Sequence, residues 1–450
     1  MPLTFQIFHQ NLWQDAAVLD ITDPVAGRHG WASLSYHPVS YALENLGRND
    51  ECACSLNLPV DLMQTYRSQP WFAFLDDIMP AGASRRYWIN YLGISHLPPA
   101  QQDYQLLAQG TMAPVGNLRI KEAVPFKKDG SHLTQMRFKV QDVVERHSDF
   151  LEYAQAMGAA SGGATGAGGE APKLLVRCSA QDEIWIDTYQ DDLTNTDQHY
   201  LVKFPRGNRT QDDCDILRAE FHYYHELNAL GIETIDTKPM RLLEGERYPS
   251  LWLPRFDVDI SNDQQQRYGL ESLYSVLAKA PGSYLNHFTA LRETLSLLRA
   301  QHRVAELGEI FDQQTFVTEW VKRDFLNVVF GNSDNHGRNT SLIKRPQGVT
   351  LAPVYDFAPM KADPEGITRS TTWGSPYEEG GRFDWIQIVQ ALADVAQPEI
   401  IIDELRQVAK QLPGLRERLA ARGVSPRLLK MPTIGFEYLD KKLIDWQLLI

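Results

Sequence analysis

An α+β fold is expected for this 450-residue chain, with a strand-rich N-terminal half and an all-helical C-terminal half. Short β-like runs bounded by Gly and Pro prevail as far as Asp257, whereas beyond about residue 262 apolar residues recur at helical spacing. At 43% hydrophobic and 22% charged residues, the chain buries a large core and is long enough for two domains or lobes.

Charge and composition exclude several classes. A net charge of −13 disfavours direct binding to a phosphate backbone. Cys52, Cys54, Cys178 and Cys214 include a Cys-x-Cys but no paired zinc spacing, and suit a reducing cytosol. The N-terminus lacks a basic region followed by an apolar run, and no apolar run reaches about 18 residues, so a cytoplasmic protein with no membrane role is expected.

In chain order, strand-like runs fall near Phe5–Phe8 and Leu56–Leu62, and a helical pattern broken at Pro80 carries Asp76, Asp77, Arg85 and Arg86, read as a solvated helix end. Met112–Leu118 reads as a turn entering a strand. Residues 158–169 form a Gly-rich run with no following G-K-[S/T]. It reads either as a flexible linker or as a loop whose backbone amides cover nucleotide phosphates. Strands are expected at Leu174–Arg177, Glu183–Thr188 and Tyr200–Phe204. The last carries Lys203, which must be paired if buried, and the phosphates of ATP are a natural partner. The following helix sets Leu217, Phe221, Tyr224 and Leu227 on one face with Gly231 as its stop, and Glu220 flanks that face. Leu251–Asp257 is a strand leading into a connection where backbone groups could bind adenine. Helical patterns then cover LESLYSVLAKA, FTALRETLSLLRA and Trp385–Ile450, with breaks at Pro413 and Pro426.

The densest polar chemistry lies in Phe316–Met360. Val317, Val321, Phe325 and Val328 give a helix with a buried face, which Gly331 and Asn332 stop; the loop S-D-N-H-G-R-N follows, and then a hairpin that returns Asp356 toward the loop. Asp, four residues, Asn, hairpin, Asp-Phe is the order that phosphoryl transfer requires of a protein-kinase centre. An Asp orients the attacking hydroxyl and accepts its proton. An Asn and a second Asp supply the hard oxygen ligands that Mg²⁺ prefers. Asp334, Asn339 and Asp356 match those roles, and Glu220 matches the helix glutamate that holds the strand lysine.

These motifs resemble the HipA-like serine/threonine kinases of bacterial toxin–antitoxin modules. The resemblance rests on FLDDIMP, PVGNLRI, GGEAPKLLV, LVKFP, LPRFD, SDNHGRN and PVYDFAPM, and runs through most of the chain. It implies a two-lobed protein-kinase-like fold: residues 1–125 as an N-terminal subdomain, 126–258 as the strand-rich lobe with the Gly loop, and 259–450 as the helical lobe, with ATP between the lobes. It implies that Gly166, Ala167, Gly168, Gly169 and Lys203 attend the ATP phosphates, that Arg255 and Phe256 lie near adenine, that Asp334 is the catalytic base with His336 near the phosphates, and that Asn339 and Asp356 hold Mg²⁺. The family's loop carries an autophosphorylated Ser; alignment on Gly168-Gly169 puts Gly166 there, leaving Thr165 and Ser161 as nearby hydroxyls, and Ala171 replaces a common Arg. The implied partners are a HipB-like helix-turn-helix antitoxin, through which alone DNA is reached, and a protein substrate such as an aminoacyl-tRNA synthetase. The alternatives are a catalytically idle antitoxin-binding corepressor and a small-molecule kinase.

Overall fold

The computed structural model describes residues 2–125, 132–157, 171–261, 264–302 and 311–449. The chain divides into two units, each assembled from separated segments. The first comprises Met1–Gly207, Pro239–Pro281 and Ser341–Ala352, and the second Asn208–Lys238, Gly282–Thr340 and Pro353–Ile450.

The first unit contains two larger sheets with separate cores. Strands β1 (Leu3–His9), β2 (Leu12–Ile21), β3 (Ala32–Tyr36), β4 (Thr65–Ser68) and β5 (Leu118–Ile120) form a five-stranded sheet in the order β4-β3-β2-β1-β5. Phe5, Ile7, Ala17, Leu19 and Leu34 join Leu75, Trp88 and Leu106 from the helices in one apolar cluster. The second sheet holds β6 (Phe138–Lys139), β7 (Lys173–Cys178), β8 (Glu183–Trp185), β9 (Gln198–Lys203), β10 (Arg241–Glu244) and β11 (Pro249–Pro254), in the order β10-β11-β9-β7-β8-β6. Leu174, Val176, Val202 and Trp252 pack with Val143, Phe150 and Tyr153 from helices Val140–Val144 and Ser148–Ala156. Because side chains alternate along a strand, the opposite face of this sheet carries Lys173, Leu175 and Arg177 of β7 and Lys203, Leu201 and His199 of β9, paired in that order.

A third sheet pairs Gly269–Ser272 with Ser341–Arg345, which in turn pairs with Gly348–Leu351. The hairpin expected after the S-D-N-H-G-R-N loop is therefore present, with a glycine at φ +134° closing its turn. Buried Lys344 lies 3.3 Å from buried Glu271 and donates to the Ala53 carbonyl.

The strand-rich first half and later helices agree with expectation; the all-helical second half does not, since 259–450 contains both strands of this hairpin and Gly269–Ser272. In LESLYSVLAKA only Leu273–Val276 is α-helical, because the preceding residues are drawn into a sheet by a partner some 70 positions away. Leu56–Leu62 is not a strand: Leu56, Leu58 and Val60 are buried in turns interrupted by Pro59. Apart from exposed Arg86, the charges around Pro80 are not a solvated helix end either. Asp76 is buried 3.2 Å from Arg28, Arg28 and Arg85 both reach buried Asp103, and Asp77 accepts from the amide and hydroxyl of Ser272.

The second unit is mainly helical. Gln211–Ala229, His287–His302, Gln313–Phe330, Pro398–Gln411 and Leu415–Arg422 are its longer helices, and the breaks at Pro413 and Pro426 fall as expected. Helix Gln211–Ala229, expected with 126–258, belongs to this unit, and Tyr223 rather than the half-buried Phe221 completes its inward face. No helix among the described residues is long and apolar enough to cross a membrane.

Candidate active site

The loop bearing Asp334 is positioned by the helix before it. Gln313–Phe330 ends at Gly331, φ +70°, whose amide and that of Asn332 both reach the Asn327 carbonyl. A Cβ on Gly331 would lie 2.9 Å from the Ile434 side chain, so both backbone conformation and close packing demand glycine. Beyond it the Asn335 side chain turns inward and donates to Asp324 Oδ1 at 2.8 Å. Asp324 is buried in the helix and also accepts from Arg369 and from Trp373 Nε1 at 2.7 Å, with His287 Nε2 3.4 Å away. Burial alone would raise its pKa; the charges of Arg369 and His287, with their hydrogen bonds, outweigh this and hold the carboxyl far below the ordinary range. The loop is thus pinned from beneath by a carboxylate that remains ionised.

Above that anchor, Asp334, His336 and Asn339 come together. The Asn339 amide donates to the His336 carbonyl, closing a turn, and Asn339 Nδ2 donates to the Asp334 carbonyl at 2.7 Å. His336 Nδ1 accepts from the Arg338 amide at 3.2 Å, which in the neutral ring leaves the proton on Nε2, 3.4 Å from Asp334 Oδ1. The Asp334 side chain keeps 28% of its surface exposed, enough to meet a substrate group. Asn339 Oδ1 is buried with no hydrogen-bond partner, an arrangement that costs free energy unless an electron-pair acceptor such as a cation occupies the position.

Asp356 is carried by the same unit. Its backbone is left-handed, φ +52°, in a region that non-glycine residues seldom occupy. On either side its neighbours are tied down: the Tyr355 hydroxyl donates to the Arg338 carbonyl, and the Phe357 amide donates to the Tyr224 hydroxyl at 3.4 Å. Tyr224 in turn donates to Glu220 Oε1 at 2.9 Å. Burial first, and then the negative charges of Glu220 and Asp356, push the Tyr224 pKa well up, so the hydroxyl stays a neutral donor. Glu220 is buried rather than solvated, and Tyr224 couples it to the Asp356-Phe357 segment.

The remaining residues lie in the first unit. Lys203 is only 3% exposed on the interior strand β9, which rules out a lysine on a sheet edge facing water. The register sets it directly opposite Lys173 of β7. Arg255 is held in a buried bidentate pair with Asp257. Burial opposes the charge on Asp257, but Arg255 and the Gly116 amide, at 2.6 Å, outweigh it and keep its pKa low. The Arg255 guanidinium therefore shapes the chain after β11, and half-buried Phe256 follows it. Gly166, Ala167, Gly168 and Gly169, with Thr165 and Ser161, lie outside the described residues.

Three structural features escaped the sequence reading. Lys173 stands inside GGEAPKLLV and becomes conspicuous only through its register with Lys203. Asp324 is a charge within an apolar helical stripe, a signal that was present. Tyr224 was assigned to the core, and its hydroxyl does the coupling.

The family model for the HipA-like C-terminal domain matches residues 165–413. The chain belongs to the HipA-like family. Among solved structures, HipA of Shewanella oneidensis MR-1, in a complex with HipB and operator DNA, superposes with a TM-score of 0.61 at 13% identity, covering 99% of this chain and 97% of that one. The fold is therefore that of HipA. The Helicobacter pylori proinflammatory kinase CtkA aligns at a TM-score of 0.35 and 12% identity over 62% of this chain and 90% of its own, too slight a likeness to bear on the fold. No curated protein matches the sequence.

Proposed function

We propose that the chain is an ATP- and Mg²⁺-dependent serine/threonine protein kinase that acts as the toxin of a toxin–antitoxin module in the cytoplasm. The observation that carries this reading is the unpartnered, buried Oδ1 of Asn339, held beside Asp334 in a unit that also presents Asp356 on a left-handed backbone. Two oxygen donors suit Mg²⁺, which when bound neutralises phosphate charge. Family resemblance assigns Lys203 to the ATP phosphates, and Glu220 is the buried acid of the set. Asp334 takes the proton of the substrate hydroxyl as its oxygen bonds to the γ-phosphorus and the bond to the ADP oxygen breaks. His336, with Nε2 toward Asp334, orients that carboxylate.

Family resemblance and the HipB–DNA complex of the S. oneidensis protein support a HipB-like helix-turn-helix antitoxin as partner. The net charge of −13 is consistent with DNA being reached only through such a partner. The target, a translation component such as an aminoacyl-tRNA synthetase, follows from the family alone. Labelled γ-phosphate supplied with a bacterial lysate tests the reading. Wild type should label a protein, and Asp334→Ala should lower turnover by several orders of magnitude while leaving ATP affinity within about threefold, because alignment of the hydroxyl and not ATP binding depends on it. An idle corepressor labels nothing in either form, and a small-molecule kinase labels no protein. A variant that melts and binds ATP normally and still labels at the wild-type rate removes Asp334 from the mechanism.

A further inference from the structure

Well away in sequence from the kinase motifs, the first unit brings together three metal-ligating side chains among the described residues: His9, Glu51 and Cys52. We propose that they form a transition-metal site, suited by its donor set to Zn²⁺, that staples the end of β1 to the loop after β3.

The geometry supports three ligands converging on one point. Cys52 Sγ lies 3.5 Å from His9 Nδ1 and 4.0 Å from Glu51 Oε1, and one donor atom of each residue falls within 4.8 Å of the others. Bonds of about 2.3 Å to sulfur and about 2.0–2.1 Å to nitrogen at a tetrahedral angle set the two donors about 3.6 Å apart. The sulfur–nitrogen separation matches that span, and because Sγ also lies 3.7 Å from Nε2, over the ring, the half-exposed imidazole must turn about its side-chain bonds to aim a nitrogen at the ion. Glu51 is 6% exposed, and its Oε2 is buried without a hydrogen-bond partner while Oε1 accepts from Arg48. A buried carboxylate oxygen left without a partner is costly unless a cation completes it.

The surroundings fix the backbone of the ligands. Asn117 Nδ2 donates to the Glu51 carbonyl at 2.8 Å and to the Phe8 carbonyl at 3.4 Å, so one side chain holds both ligand-bearing segments. Tyr41 donates to the Cys52 carbonyl at 2.6 Å, and the Cys52 amide donates to Asp50 Oδ1. A thiolate, an imidazole and a carboxylate favour zinc over the oxygen-seeking Mg²⁺ and Ca²⁺, and three protein ligands leave a fourth position for water. Cys52 enters as thiolate, its proton passing to solvent, so that Zn²⁺ meets one anionic sulfur and one carboxylate. No sequence spacing pointed here, because His9 is remote from Glu51-Cys52 along the chain and only the folded loop, held through Asn117, brings them together.

The experiment uses untagged full-length protein stripped with a chelator and titrated with Co²⁺ and then Zn²⁺. Wild type should develop sulfur-to-cobalt charge-transfer absorption that Zn²⁺ abolishes, with a rise in melting temperature on Zn²⁺ addition. Cys52→Ser should lose the absorption and Cys178→Ser should keep it. His9 is half exposed, so His9→Ala should fold, and it should weaken Zn²⁺ binding by at least about tenfold, the lower end of what even outer-shell changes cost. Absence of the absorption in wild type, its persistence in Cys52→Ser, or unchanged affinity in His9→Ala each overturns the proposal, leaving Cys52–His9 and Glu51–Arg48 as ordinary polar contacts.

Discussion

Asp356 carries two unusual features at once, a left-handed backbone at φ +52° and a place beside the Tyr224–Glu220 pair. Non-glycine residues in that region cost about 1–3 kcal/mol and persist where surrounding structure imposes them. Here Tyr355 and Phe357 are tied down on both sides, which makes a positioning role the natural outcome of the strain. Asp356→Asn is the informative change, since Asn tolerates a left-handed backbone while losing the charge that a cation needs. ATP affinity should fall at least about tenfold in Mg²⁺, as for a damaged metal site, and hardly change in EDTA. Equal losses in the two conditions would assign Asp356 to structure alone. Asp334, Asn339 and Asp356 were legible in the sequence because chemistry constrains their spacing within a short segment. The pairing of Lys173 with Lys203 was not, because no local pattern encodes a strand register.

Between residue and fold stand the elements, and helix Gln313–Phe330 shows how one of them positions the loop. Its apolar spacing and glycine stop made it readable, but its inward Asp324 takes meaning only from Asn335, Arg369, Trp373 and His287, all of which lie more than ten residues from it in sequence. Removing the charge from a buried pair costs about 3–5 kcal/mol, so Asp324→Asn should lower stability by that order at neutral pH and loosen the loop. The folded pKa lies below the unfolded value, so the carboxylate's contribution is complete above about pH 4 and is lost as pH falls from there toward the folded pKa. Denaturant titrations at several pH values should find the gap between wild type and Asp324→Asn wide at pH 7 and closing below pH 4. A gap that stays constant with pH would mean that the charge contributes nothing. Distant partners also explain the misreadings: Gly269–Ser272 became a strand by pairing with Ser341–Arg345, and Asp76 and Asp77 were claimed by Arg28 and Ser272.

For the whole molecule, division into two units made of interleaved segments limits what composition and order along the chain reveal. Helix Gln211–Ala229 follows β9 in sequence and belongs with the Asp334 unit, while the hairpin after Asn339 belongs with the sheets. A net charge of −13 offers little attraction to operator DNA, whose phosphates must be neutralised by cationic side chains for tight binding. Control through a basic antitoxin follows from the proposed function. Expression of the wild-type chain alone should slow bacterial growth, Asp334→Ala should not, and co-expression of a small helix-turn-helix protein encoded beside it should restore growth. In gel-shift assays the purified chain should leave operator DNA free and should retard it only when that protein is present. Tight operator binding by the chain alone would show that it carries its own DNA-reading surface, and growth inhibition that survives Asp334→Ala would separate toxicity from phosphoryl transfer.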